Sequence, residues 1–465
     1  MEQAPNTSTP AQRRTPSRRV SLRRTEAIRG SRSAPRSQTG RKVYIVDGAR
    51  TPFLRARGEP GPFTPVDLAV QCGRPLLGRQ PFAPDAFDYV ILGCVSVLAD
   101  EMNPARVAAL RLGMGEAMRA FTVQINCGSG MQSIDSGFRL IEGGQADLIL
   151  AGGAEALSHS PLVWSRNATR WFGRFATARS PLKRLAALGG FRPNMLKPVI
   201  GLERGLTDPI TDLSMGRTAE IIGHAFGITR EQADAYALES HQRLARAQED
   251  GTFAGELIPA VSRDGRLFEK DDGVRPDTSM EQLAKLKPVF ERPYGRVTAG
   301  NSSQITDGAS WVILASEEAV EEYGLTPIAR IVDSEWSALD PAVMGLGPTI
   351  CSAALTERLG FSREDIDLWE INEAFAAQVL ACLAAWTDED YCREVLGLEA
   401  PYGEVPRDRL NVDGGAISLG HPVGTSGNRI VLHLANALKR RGLRRGIATE
   451  CIGGGQGGAM LLEVA

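Results

Sequence analysis

Four short stretches place a polar side chain among small residues where one predicted element ends and the next begins. They are Cys127 in NCGSG, Asn372 in NEAFA, His421 in GHPVGTSG and Cys451 in CIGGG. Turns of this composition let the backbone approach a ligand closely and aim N–H groups at it. Two thiols, an imidazole and a carboxamide would supply a nucleophile, its base, a second acid/base and a holder for water or a developing oxyanion. Each residue also has a plainer reading: Cys127 as a small core thiol, His421 between glycine and proline as a turn residue, Asn372 as a helix cap. Their joint placement is harder to explain by packing.

The surrounding pattern is what would position them. FTVQIN (121–126) reads as a strand that feeds Cys127, and GMQSIDSGFRLIEGG as an amphipathic helix closed by Gly143 and Gly144. A thiol at a helix N-terminus faces a positive dipole end, which predicts a lowered pKa. Strands are also predicted at KVYIVDGARTPF and DYVILGCVS, a helix at PARVAALRLG, and an apolar strand in ADLILAGGAEALS. The pattern returns at GRVTAGNSSQITDGASWVILAS, TPIARIVDSEW and DIDLWEINEAFAAQVLACLAAW. The C-terminal run from Asn411 repeats the grammar around Cys127: a glycine-rich turn with a reactive side chain opens a helix, and an apolar strand ends in glycines. This implies two similar halves of a layered α/β fold, with helix N-termini facing one site.

Between the halves, residues 161–292 read as an inserted domain, a natural lid. Its first part is basic, with Trp164, Trp171 and Phe172 interspersed; two helices follow, the second capped by Thr229. His224 and His241 on those helices are read as surface or packing residues.

The chain has 465 residues, 43% hydrophobic and 23% charged, as in soluble multidomain proteins, and no apolar run long enough to span a bilayer. Seven cysteines without CxxC pairs fit neither a disulfide framework nor a zinc ribbon, so Cys72, Cys94, Cys351, Cys382 and Cys392 are read as core or partly buried thiols. Residues 1–41 hold ten arginines against Glu2 and Glu26. That composition predicts a disordered extension on a cytoplasmic protein; a mitochondrial transit peptide and a nucleic-acid or membrane tether are the alternatives. GGGQGG has only seven residues after it, too few for a dinucleotide-binding unit, and no Walker loop occurs.

From about Lys42 to Ala465 the sequence resembles the thiolase family. NCGSGMQSI is similar to its nucleophile motif, VTAGNSSQITDGA to its acyl-CoA-contacting segment, and NEAFA, NVDGGAISLGHPVGTSG and CIGGGQGGA to its three C-terminal blocks, in order. The resemblance implies a duplicated five-layer α-β-α-β-α fold with an inserted loop domain, its N-terminal half at 42–160 and 293–318 and its C-terminal half at 319–465. It implies that Cys127 takes the acyl group and His421 activates it. Asn372 would hold a water, the N–H groups of Cys127 and Gly453 would form an oxyanion hole, and Cys451 would move the α-proton. Ser303, Ala374 and Phe375 would line the pantetheine and acyl pocket. Acyl-CoA, acetyl-CoA and coenzyme A are then substrates, with no metal or bound cofactor and no nucleic-acid partner. A homodimer or homotetramer is implied, with a hydratase/dehydrogenase as a possible further partner. The length of 161–214 and the run SMGRTAE…GITREQADAYALESHQR resemble degradative 3-ketoacyl-CoA thiolases. A biosynthetic acetoacetyl-CoA-forming enzyme and a non-catalytic lipid carrier are the alternatives.

Overall fold

The computed structural model describes residues 40–465; nearly all of the basic tail, and the expectation of disorder attached to it, lies outside them. The N-terminal half contributes strands β1 (Val43–Arg50), β2 (Tyr89–Gly93), β3 (Arg119–Val123), β4 (Leu148–Ala156) and β5 (Thr306–Ser316), with helices α1 (Pro65–Gly78), α2 (Pro104–Arg111) and α3 (Ser129–Glu142). Between β4 and β5 lie α4 (Arg166–Thr177), α5 (Pro181–Leu188), α6 (Met215–Ala225) and α7 (Arg230–Glu249). The C-terminal half adds β6 (Ala329–Ala338), α8 (Gly347–Leu359), β7 (Leu368–Ile371), α9 (Ala376–Thr387), α10 (Val423–Arg441), β8 (Arg445–Ile452) and β9 (Gln456–Val464).

The duplication is written in the strand order, β7-β8-β9-β6-β1-β5-β4-β2-β3, with Leu54–Arg55 pairing on β5 as a tenth strand. β2 pairs in parallel with β3 and β4, and β7 pairs in parallel with β8 and, through Trp369, with Leu410. Each half then closes with two antiparallel pairings. The halves meet where β1 and β6 pair antiparallel about Tyr44 and Arg330. Both strands carry the triplet Ile-Val-Asp (45–47 and 331–333), and in each the register shifts across its valine. A bulge bends a strand. The paired bulges lie next to the join, and the half-sheets beyond them share a common helical layer.

That layer is α3 and α10. Met131, Ile134 and Phe138 of one and Ile430, Leu434 and Leu438 of the other share a core with side chains from both half-sheets. α1 and α2 cover the outer face of the first half, and α8 and α9 that of the second, giving the five layers. Each aliphatic side chain fully buried in these cores contributes about 2 kcal/mol.

The central helices approach closely because both begin with small residues. A Cβ on Gly130 would lie 2.7 Å from the Asn428 nitrogen, and one on Gly427 would lie 2.6 Å from the Met131 nitrogen. The contact is reciprocal, as the Ser-Gly pairs at 129–130 and 426–427 suggest. It sets the two helix N-termini side by side.

Candidate active site

Cys127 sits in a turn held on both sides. Asn126, just before it, adopts a left-handed backbone (φ 47°), which asparagine tolerates better than most residues. The Ser129 hydroxyl donates to the Asn126 carbonyl (2.7 Å) and accepts from the Ile125 N–H (2.9 Å). Asn126 Nδ2 then donates to the Gly453 carbonyl (2.8 Å), tying this turn to the CIGGG turn. The N–H groups of Gly453 and of Cys127 itself favour the thiolate form of the sulfur.

Among the described residues Cys127 is the one cysteine with appreciable exposed surface; the five predicted core thiols are buried, as is Cys451. The lowered thiol pKa expected at the helix end is not what the site produces. Burial pushes the Cys127 thiol up to about 12, with Glu450 and Glu155 adding to the effect, and the two N–H groups only partly oppose it. The resting group is a thiol, and a nucleophile at this position would need a base.

His421 is a neutral imidazole that could serve as one. It is buried, and burial together with Arg429 lowers its pKa to about 4, so the ring is neutral. Its Nδ1 lies 2.6 Å from the Ser426 hydroxyl, which donates to the Pro422 carbonyl at 3.2 Å. Ser426 therefore accepts from Nδ1–H, and Nε2 is the basic nitrogen. The backbone of this turn is clamped by Glu155, which accepts N–H bonds from Val95 (3.0 Å), Ser96 (2.9 Å) and Gly424 (2.9 Å). Sequence reasoning missed Glu155 because its partners lie in two segments far from it and from each other in the chain.

Asn372 follows β7, and its N–H bonds to the Thr449 carbonyl (2.9 Å), two residues before Cys451. It caps no helix: α9 starts from Phe375 without a side-chain cap. Its side chain is fully buried with both polar atoms unpartnered by protein. A buried amide in that state is an open site for a water or an oxyanion. The neighbouring Glu373, which no motif reasoning singled out, is by contrast saturated. It accepts from Tyr236 (2.9 Å), Ser240 (2.7 Å), Asn411 Nδ2 (3.0 Å) and the Ile417 N–H (3.2 Å).

Cys451 is fully buried beside Met344, Ala374, Met215 and Phe375. Burial first, then Cys127, holds its thiol well above the usual range. Ser303 joins this wall through its N–H to the Ala374 carbonyl (3.0 Å), and Phe290 packs edge-on to Phe375 at 6.3 Å. The structure thus gathers Ser303, Ala374 and Phe375 around Cys451 and adds two methionines that no motif announces. His224 is exposed, and buried His241 accepts an N–H bond from Arg275 (3.1 Å), both as expected.

A cavity of about 770 Å³ lies apart from these turns, lined entirely by residues 167–195, with Arg170, Arg174, Lys183 and Arg192 around it. Among the described residues no cluster could hold a metal ion, and no helix is long and apolar enough to cross a membrane.

Residues 43–318 match the thiolase N-terminal domain and residues 325–464 the thiolase C-terminal domain. The chain is 37% identical over 424 residues to the mitochondrial trifunctional enzyme subunit beta of Bos taurus, covering 91% of this chain and 88% of that one. The structure of human mitochondrial 3-ketoacyl-CoA thiolase in complex with CoA superimposes with a TM-score of 0.78 at 36% identity, covering 91% and 98% of the two chains. The Bacillus anthracis acetyl-CoA acetyltransferase matches with a TM-score of 0.79 at 37% identity, covering 92% and 100%.

Proposed function

The chain belongs to the thiolase family of acyltransferases, and from that premise we propose that it cleaves 3-ketoacyl-CoA with coenzyme A through an acyl-enzyme on Cys127. His421 Nε2 takes the thiol proton as the sulfur attacks the 3-keto carbon. The bond between the α- and β-carbons breaks, leaving an acyl thioester on Cys127 and an enolate of acetyl-CoA, which Cys451 protonates. Coenzyme A, giving its thiol proton to Cys451, then attacks the acyl-enzyme, and His421 returns its proton to the departing Cys127 sulfur as the shortened acyl-CoA is released. Negative charge on the acyl oxygen is met by the N–H groups of Cys127 and Gly453, and enolate charge by a water on Asn372 with His421.

The observation that carries this reading is the pair of N–H groups that favour the Cys127 thiolate, together with a neutral, oriented imidazole in the turn that leads into α10, whose start packs against that of α3. The CoA complex of the human relative supports coenzyme A as the carrier. We assign its phosphates to the basic segment 161–204 within the inserted domain. The likeness to trifunctional beta subunits supports degradative thiolysis and a hydratase/dehydrogenase partner. The comparable likeness to an acetyltransferase keeps acetoacetyl-CoA synthesis as the second reading.

The test is purified protein with coenzyme A and 3-ketoacyl-CoA of graded chain length. Thiolysis of medium and long chains is expected, with Cys127→Ser inactive and an acyl adduct on the wild-type peptide containing residue 127. Activity confined to acetoacetyl-CoA would select the second reading, and normal turnover by Cys127→Ser would remove the mechanism.

A further inference from the structure

With Cys127 read as the acyl-accepting thiol, one buried group beside it has no task. Glu450 immediately precedes Cys451 in β8, is fully buried, and has no hydrogen-bond partner for either carboxyl oxygen among the described residues. Leaving such a group unsatisfied costs about 1–3 kcal/mol, which packing alone does not explain.

Its location follows from register. Ala448 of β8 pairs with Glu370 of β7, and side chains two apart share a face, so Glu370 and Glu450 both face α10. Arg429 of α10 bonds Glu370 at 3.3 Å while its Nε stays unpaired. Glu450 Oε1 fills the space that Gly427 leaves open: a Cβ there would stand 2.2 Å from that oxygen and 2.6 Å from the Met131 nitrogen. Gly427 and Met131 lie near the starts of α10 and α3, just after His421 and Cys127 in sequence. The carboxyl is wedged behind the base and the nucleophile.

The titratable groups around it are few. α10 presents Arg429 and, one turn on, His433; β7 presents Glu370; the turn into α3 presents Cys127, with no other titratable residue on α3 before Asp135. Its own strand adds Cys451, and β9 offers Gly458 opposite it. One guanidinium therefore stands among two carboxyls and is bonded to the other. Burial favours the protonated form of Glu450 and holds its carboxyl well above the usual range. Its negative charge, once formed, opposes thiolate formation at both cysteines.

We infer that Glu450 is a positioning residue for acyl transfer, a carboxyl that must stay protonated while Cys127 ionises and whose own ionisation suppresses the nucleophile at alkaline pH. The test is alkylation of Cys127 by iodoacetamide, read on its peptide by mass spectrometry across the alkaline range, alongside kcat/KM for thiolysis. Glu450→Gln cannot ionise. Once the wild-type carboxyl ionises in the alkaline range, the Gln variant should alkylate about tenfold faster than wild type, a midpoint lowered by about one unit, and carry activity further into alkali. Glu450→Asp should keep the wild-type profile. Should the Gln variant not fold, Glu450→Met carries the same expectation. Coincident profiles for a folded Gln or Met variant and wild type, or an equal shift in Asp and Gln, would overturn the inference. Turnover by Cys127→Ser would instead remove the reading on which it rests.

Discussion

Two thiols in one dry site are assigned different work because their surroundings differ. Cys127 is partly exposed and two N–H groups favour its thiolate, whereas Cys451 is walled by Met215, Met344, Ala374 and Phe375. Cys451→Ala should therefore still form the acyl-enzyme but lose carbon–carbon bond formation. Isotope exchange into the α-position of acetyl-CoA would report the missing base, and loss of acylation instead would mean the roles are exchanged. Asn372 and Glu373 make a sharper pair, adjacent in sequence and opposite in satisfaction. Asn372→Ala, which breaks no protein hydrogen bond from the side chain, should lower kcat by about 100-fold with a nearly unchanged melting temperature. Glu373→Ala strands three side-chain partners and should cost about 3 kcal/mol in stability, measured by denaturant unfolding.

At the scale of elements, the site depends on how closely α3 and α10 cross. Gly130→Ala would set a methyl 2.7 Å from the backbone nitrogen of Asn428, and backbone in a packed layer cannot swing aside as a side chain can. A loss of about 1–3 kcal/mol is expected, together with a fall in kcat as the two N-termini separate. Unchanged kcat in a destabilised protein would show that the crossing supports the fold alone. The basic segment makes a different prediction. Four of its cations surround the 770 Å³ cavity, and from Pro161 to Leu202 it holds no acidic residue. Neutralising Arg170 and Arg174 together should raise the Michaelis constant for coenzyme A, most at low salt, where exposed charge is least screened. Deletion of residues 1–41 should leave that constant nearly unchanged; the reverse outcome would move the role to the tail.

Across the whole molecule a buried ion network ties the segment between β4 and β5 to both halves. Arg50 of β1 pairs with Glu256 (2.9 Å) and Asp271 (2.8 Å), and His433 of α10 sits between Glu256 (3.1 Å) and Asp413 (3.2 Å). Burial disfavours the imidazolium, but the two carboxylates outweigh it and raise the His433 pKa to about 10. A pKa raised in the folded state stabilises fully below the unfolded value near 6.5, and that contribution disappears as pH rises toward 10. The melting temperature of wild type should accordingly fall across that window more steeply than that of His433→Gln, which should itself be less stable by about 3 kcal/mol near neutral pH.

Much of this molecule was legible in local pattern. Apolar periodicity outlined the strands and helices, and the small residues around Cys127, Asn372, His421 and Cys451 marked the turns because backbone approach demands them nearby in sequence. The motif at Thr229 predicted a cap that the structure contains. FTVQIN, however, ends its strand at Val123, since the next three residues form the turn that presents the thiol. What tertiary structure decided is everything set by desolvation and by distant partners. The direction of the Cys127 shift reverses because burial outweighs the helix end. Glu155, Glu373 and Glu450 look alike as residues, yet one clamps a turn, one saturates a junction and one stands unpaired near Cys127. No spacing rule distinguishes them, because their surroundings are assembled from segments up to hundreds of residues apart.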